Sequence, residues 1–267
     1  MRLIILLPVY NEESSLEALL VSVHNAALEI CRNPLLIICD DGSSDSSKRI
    51  IDKISIQLPI HLISHEYNRG LGETIRDLFE YSCKVSDEND IIVRMDADGT
   101  HDPKYFVSML NKLQEGFDIV IASRFAEGGG QEGVPVDRRI LSSAANSFMK
   151  LVFGIRGLKE HTSGFRMYRA KLIKRALETY GGNFIQIRGL GFTCTLEKLV
   201  KLYLLGAKIA EVPFVLRYDK KIGVSKMVSS ITTLGYFVMT IMYYWPRSGW
   251  KAQYKKSNVP GSPLRIE

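Results

Sequence analysis

The chain has 267 residues, 46% hydrophobic and 24% charged, which suits one large α/β domain and excludes disordered and collagen-like classes. The formal net charge of +6 hides a division: residues 1–123 carry 11 basic and 20 acidic side chains, residues 124–175 carry 11 and 4, and residues 217–267 carry 9 and 2. An acidic front and two basic later segments imply two ligand environments, and basic stretches with few interleaved aromatics argue against nucleic acid. Cys31, Cys39, Cys83 and Cys194 form no CxxC pair, as expected of reduced thiols in a cytoplasmic protein.

The N-terminal apolar run, Leu3 to Leu7, is too short for a signal-peptide core and reads as a buried strand. Further strand-like runs follow at Leu35–Cys39, Ile60–Ile63, Ile91–Met95 and Asp118–Ala122. Leu16, Leu19, Leu20, Val23, Ala27 and Ile30 have helical spacing, with Ser14 and Glu17 as a capping box. Asp102 suits an N-cap and Pro103 a first turn, ahead of the Phe106, Met109, Leu110, Leu113 face. Strands alternating with helices imply a mostly parallel sheet covered on both sides, with ligands beyond the carboxyl ends of the strands. A glycine-rich loop (126–137) precedes helical patterns at Arg138–Phe153, Ala170–Tyr180 and Thr193–Leu205, then a strand-like run at Lys208–Leu216.

Residues 227–246 carry no charge, lie between Lys226 and Arg247, and end in Tyr243, Tyr244 and Trp245. A spanning helix, a buried core helix and a helix lying in a membrane interface are all open from the pattern. The last stretch, 251–267, reads as a mobile tail.

Three strand-end loops in the front half are acidic: Pro8-Val9-Tyr10-Asn11-Glu12-Glu13, Asp40-Asp41-Gly42-Ser43 and Asp96-Ala97-Asp98-Gly99. Carboxylates two residues apart past a buried strand can share one cleft. Their repulsion would be relieved by a divalent cation, and oxygen donors favour Mg²⁺ or Mn²⁺. Asp45 and Asp102 read instead as helix caps. Arg124 follows a strand and Arg138 and Arg139 open a helix, places where guanidinium forks and free amides suit phosphate.

These stretches, with Asn68-Arg69-Gly70-Leu71-Gly72, resemble family 2 glycosyltransferases of GT-A type. Ser123-Arg124-Phe125, Arg138-Arg139, Ser163-Gly164-Phe165-Arg166 and Ser225-Lys226 resemble the dolichyl-phosphate mannose synthase group. The resemblance spans residues 3–226 and implies a Rossmann-like GT-A domain (1–226) followed by an interfacial or membrane-associated helix (227–250). It implies that Pro8, Tyr10, Glu12, Asp41, Asp96 and Ala97 bind the nucleotide, and that Asp96, Asp98 and Thr100 bind the metal. Thr100 stands where close relatives have Gln. Arg124, Arg138, Ser142, Ser225 and Lys226 would hold an acceptor phosphate, with Asp98, Arg124 and Arg138 the catalytic set. Glu160 stands where relatives have Asp. His101 matches the family, with a structural hydrogen bond as its plain alternative; Glu197 reads as a buried, paired acid.

The implied activity is inverting, metal-dependent transfer of a hexose from GDP-mannose or UDP-glucose to a polyprenyl or dolichyl phosphate, at the cytoplasmic face of a membrane. Alternatives are transfer to hydroxyl acceptors or a non-catalytic sugar- or membrane-binding scaffold. A nucleotidyltransferase is disfavoured because Pro8 to Glu13 has no Gly or Lys.

Overall fold

The computed structural model describes residues 1–155, 157–221 and 229–244. Among the described residues nine strands run β1 (Leu3–Val9), β2 (Leu35–Asp40), β3 (Ile60–Ser64), β4 (Ile91–Arg94), β5 (Ile119–Ser123), β6 (Gly130–Glu132), β7 (Arg166–Arg169), β8 (Ile209–Pro213) and β9 (Val215–Arg217). The α-helices among the described residues are α1 (Glu13–Leu28), α2 (Ser47–Ile54), α3 (Leu71–Val85), α4 (Phe106–Gln114), α5 (Val136–Phe153), α6 (Ala170–Tyr180), α7 (Thr193–Leu204) and α8 (Ser229–Tyr244). The main sheet has the order β3-β2-β1-β4-β7-β5-β8, and every neighbour pair is parallel except those made by β7. A second, two-stranded sheet pairs β6 with β9.

The alternation of side chains along β1 explains the layers. Ile4 and Leu6 join a core with Ile75, Phe79, Ile173 and Leu199, from α3, α6 and α7. Leu3, Ile5 and Leu7 join another with Leu20, Ile51 and Met109, from α1, α2 and α4. Strands covered on both faces need apolar residues at successive positions, and that is what made β1, β2, β4 and β5 conspicuous.

Local chemistry shifts some boundaries. The expected Ser14–Glu17 capping box is not formed: α1 begins at Glu13 and has no side-chain cap of its own. Asp45 accepts instead from the Glu13 amide (3.0 Å), and also caps α2 through the Ser47 amide (2.9 Å). Asp102 accepts from the Lys104 amide (3.0 Å) as a cap should, with Pro103 in the first turn. The single strand expected over 208–216 is two, divided between the two sheets at Pro213 and the buried Phe214. All four cysteines are free thiols; Cys39 and Cys194 are buried, while Cys31 and Cys83 are only half-buried.

Helix α8 is neither fully buried nor fully exposed. Thr232, Tyr236, Met239 and Tyr243 pack inward, whereas Leu234, Phe237 and Ile241 are exposed. Among the described residues no helix is long and apolar enough to cross a membrane. The expected tail, 251–267, lies outside the described residues.

Candidate active site

The three acidic loops do meet at the carboxyl edge of the parallel strands. Asn11, held at φ 53°, accepts the Ser44 amide on its side-chain oxygen (2.8 Å), and its own amide donates to Ser43 Oγ (2.9 Å). Gly42 (φ +68°) lets the Asp41 turn lie against the next loop, since a Cβ there would fall 2.5 Å from the Tyr67 carbonyl carbon. Asp41 is buried and accepts the amides of Arg69 (2.8 Å) and Gly70 (2.9 Å). His65, a residue the sequence did not single out, donates from Nδ1 to Asp41 (2.7 Å) and reaches Asp77 through Nε2 (3.0 Å).

Two cavities share one wall. The first, ≈ 470 Å³, is lined by Pro8, Tyr10, Glu12, Asp41, Asp96 and Ala97 with Arg188. The second, ≈ 220 Å³, contains Arg124, Arg138, Ser142, Thr100 and Tyr218. Asp96, Asp98, Lys221, Phe192 and Thr232 line both. The residues expected to hold a nucleotide and those expected to hold a phosphate therefore face separate spaces that join at the Asp-x-Asp turn. Arg139 is exposed and outside the lining, and Ser225 and Lys226 lie outside the described residues.

Asp98 is the hinge of this arrangement. Thr100 donates to its Oδ1 from both the amide (3.1 Å) and the hydroxyl (2.6 Å), and the Lys221 ammonium donates to Oδ2. Burial pushes its carboxyl pKa up, but Lys221, His101 and Thr100 outweigh burial and hold it below the usual carboxylate range. Here the Thr100 hydroxyl orients the carboxylate. Among the described residues no cluster of three His, Cys, Asp or Glu could hold a metal by itself. The two carboxylates are nevertheless a hard-oxygen set of the kind that takes Mg²⁺ or Mn²⁺ together with substrate phosphates, and Asp98 already faces a cationic group.

His101 accepts the Asp96 amide on Nδ1 (3.0 Å) and stacks on Phe165 with ring centres 5.1 Å apart. Burial lowers its pKa despite the nearby Asp96 and Asp98. The structural hydrogen bond that its sequence position allowed is thus present.

In the second cavity Arg124 is committed mainly to protein. It donates from Nε to Glu160 Oε2 (2.7 Å), from Nη2 to Glu160 Oε1 and Thr162 Oγ1 (both 2.8 Å), and from Nη1 to Ser142 Oγ (3.3 Å). A guanidinium has five N–H donors, so one remains beyond these four. Arg138 donates to the Tyr218 hydroxyl (2.8 Å). Tyr218 carried no signal beyond its place just ahead of the basic Lys220-Lys221 pair. Glu197 is buried as expected, accepting from Lys201 Nζ (2.6 Å), from the Gln186 and Ile187 amides, and from Tyr243 Oη (2.5 Å), which ties α8 to α7.

His161, beside Glu160, is fully buried and its Nε2 has no hydrogen-bond partner among the described residues. Burial, with Arg166 adding to it, pushes its pKa down to about 4. The unfolded imidazole takes its proton at about 6.5. Between these values the unfolded chain holds more protons, so stability falls as pH drops from about 6.5 and levels off below the folded value, by about 3 kcal/mol. Urea unfolding across that range should show the slope in the wild type and a shallower one in His161→Asn. Equal slopes would refute the assignment.

Comparison with known proteins agrees with this architecture. Residues 4–177 match Glycosyl transferase family 2. The chain is 27% identical to polyprenol monophosphomannose synthase of Mycolicibacterium smegmatis, covering 86% of this chain and 82% of that protein. It is 30% identical to undecaprenyl-phosphate mannosyltransferase of Micrococcus luteus, covering 86% and 89%. Among solved structures, glucosyl-3-phosphoglycerate synthase from Mycobacterium tuberculosis, in complex with Mn²⁺, UDP and phosphoglyceric acid, superposes with a TM-score of 0.60 at 17% identity, covering 90% of this chain and 77% of that one. The chain belongs to glycosyl transferase family 2 and is a glycosyltransferase of GT-A-like α/β fold.

Proposed function

We propose that this enzyme transfers a hexose from a nucleotide sugar to a phosphate-bearing acceptor, and that the acceptor is a polyprenyl phosphate. The observation that carries the reading is the junction at Asp96 and Asp98 between a nucleotide-sized cavity and one lined by Arg124, Arg138 and Ser142. The second cavity includes Leu141 of α5 and Thr233 of α8, whose helices also expose Val136, Ile140, Leu234 and Phe237. A phosphate in the cavity would thus have an apolar face beside it for a chain. The sequence relatives bear names that fit such an acceptor.

The chemistry follows from the groups present. A phosphate monoester has its second pKa near ~6, so its oxygen is largely ionised at neutral pH and needs no strong base. Among the described residues of the second cavity, the candidate bases are engaged: Asp96 by Arg94, Asp98 by Lys221 and Thr100, and His101 by the Asp96 amide. Arg138 and the remaining donor of Arg124 would orient the acceptor oxygen toward the anomeric carbon. The bond from that carbon to the diphosphate breaks as the new bond forms from the opposite face, with inversion. Asp96 and Asp98 would hold Mg²⁺ or Mn²⁺, which when bound stabilises the charge on the departing diphosphate. Lys221 stands ready to add a positive charge at the same place.

A second reading, transfer to a hydroxyl of a phosphorylated small molecule, is favoured by the fold shared with the phosphoglyceric acid complex. Incubating the protein with GDP-mannose or UDP-glucose, Mn²⁺ or Mg²⁺, and either polyprenyl phosphate or 3-phosphoglycerate separates the two. Product with the lipid alone is expected. Product with the soluble acceptor alone would replace the first reading with the second, and no product with any pair would overturn both. In the productive assay, Arg138→Ala should raise the acceptor KM by about 10- to 100-fold, the worth of one charged hydrogen bond, and leave the donor KM nearly unchanged. An unchanged acceptor KM would remove Arg138 from the phosphate site.

The exposed faces of α5 and α8 also support peripheral placement on an anionic membrane. Co-sedimentation with phosphatidylglycerol vesicles should be strong for the wild type and weaker for the Leu234→Glu/Phe237→Glu double variant. Equal sedimentation would direct the membrane contact elsewhere.

A further inference from the structure

Arg94 ends β4, two residues before Asp96, and is 1% exposed. It interrupts an apolar run, Ile91-Ile92-Val93, in the centre of the sheet. Among the described residues none of its guanidinium nitrogens has a partner in proper hydrogen-bond geometry. Among those residues its one close ionic contact is Nη2 to Asp96 Oδ1, at 2.6 Å. Directly across the antiparallel pair stands Arg166, also buried. Arg166 donates from Nη1 to the carbonyl of Thr195 (2.7 Å) and from Nη2 to that of His161 (2.9 Å), while its Nε has no partner among the described residues. Lys198 of α7 is buried nearby, its ammonium 4.0 Å from the centre of the Phe79 ring. Burial, reinforced by Arg166 and Arg94, pushes the Lys198 pKa well down.

Like charges facing each other across strands destabilise a sheet, and an under-bonded buried cation is costly. An aliphatic residue at 94 would avoid both penalties. A second residue makes room for this arrangement. Gly164 is not among the glycines with positive φ, so no left-handed turn requires it. A Cβ at that position would sit 1.5 Å from Arg94 Nη1. The glycine therefore serves the guanidinium. An arginine and a glycine, far apart in sequence, together maintain one contact with Asp96.

We infer that Arg94 is a positioning residue for Asp96: admitted by Gly164, its guanidinium grips one carboxylate oxygen from beneath and offsets its charge. Arg94 then offsets Asp96 as Lys221 offsets Asp98, so each carboxylate at the cavity junction has its own counter-charge. The second oxygen of Asp96, 3.6 Å from His101 Nε2, is thereby held in a fixed orientation toward the donor. The inference rests on the reading that this junction takes a divalent cation with a nucleoside diphosphate.

The test measures Mn²⁺ binding to the full chain without nucleotide, by electron paramagnetic resonance, beside transfer kinetics. Removing a positive charge in contact with a cation-binding carboxylate should tighten Mn²⁺ binding in Arg94→Met by about fivefold or more. Transfer kcat should fall by about tenfold or more, because Asp96 is no longer held. Arg94→Lys should restore the weaker Mn²⁺ binding. Gly164→Ala, which crowds the guanidinium off Asp96, should shift both quantities in the same direction as Arg94→Met, and decides the matter if that variant does not fold. A merely structural arginine would change melting temperature and leave Mn²⁺ affinity alone. Wild-type protein that binds Mn²⁺, with unchanged or weaker binding in the folded variants, would overturn the role of Arg94. Wild-type protein that binds no Mn²⁺ would overturn the metal reading and this inference with it.

Discussion

Asp98→Ala is expected to lower kcat/KM for glycosyl transfer by about three orders of magnitude or more, with the protein still folded. Asp98, like Asp96, lines both cavities; it faces Lys221 and its pKa is held low, so it is ionised throughout the neutral range. Its side chain is 16% exposed, enough to reach a ligand, and both Thr100 contacts fix its rotamer. In the proposed reaction the diphosphate leaves with a growing negative charge at this point. Removing the carboxylate removes the anchor for the cation that would offset it, and leaves Lys221 without its partner. Asp98→Asn keeps the shape and, on Oδ1, both hydrogen bonds from Thr100 but not the charge, so it should retain the fold and lose most of the rate. Thr100→Val should be milder, since it frees the rotamer without changing the charge. Transfer assays with circular dichroism on each variant check the ranking. Near-normal transfer by Asp98→Ala would end the metal assignment and the mechanism built on it.

How much of this could be read beforehand depends on what each residue does. The strands of the parallel sheet were legible because burial on both faces demands continuous apolar runs, and the acidic turns stood out at their ends. β7 was not legible as a strand, because two of its four residues are arginines; only the structure shows that Arg166 turns its charge onto backbone carbonyls. β6 and β9 are three residues each, too short for any period. The candidate site was legible as motifs, whereas its wiring was not. Arg124 looked like a phosphate ligand, yet most of its donors go to Glu160, Thr162 and Ser142. His65 and Tyr218 belong to no motif and are informative only through what they touch, 24 and 80 residues away in the chain. Spacing within a motif reports local geometry, and it says nothing about a contact made by a distant loop.

The departure at position 160 leads to the second large effect. Glu160→Ala should destabilise the protein by about 3–5 kcal/mol, a large part of the roughly 5–15 kcal/mol that holds a domain together. Glu160 is fully buried and accepts from Arg124 at two points, from the Thr162 hydroxyl (2.7 Å) and amide (3.1 Å), and from the Ser163 amide (3.0 Å). Burial alone would raise its pKa; Arg124 and Thr162 outweigh burial, so the carboxyl titrates below its ordinary range. Its stabilising contribution is therefore complete above the unfolded carboxyl value of about 4.3 and is lost only as pH falls through the lower folded value. At neutral pH, deleting the side chain leaves the Arg124 guanidinium, 12% exposed, without a counter-charge, and two loop amides without an acceptor. Replacing both partners should cost less than the sum of the single changes, so an Arg124→Met/Glu160→Met double variant should be more stable than Glu160→Ala. Glu160→Asp restores the charge on a shorter stem and should recover part of the stability. Equilibrium denaturation of the four proteins at pH 7 decides it. A loss below about 1 kcal/mol in Glu160→Ala would mean that the pair is no better than a surface ion pair, despite its burial.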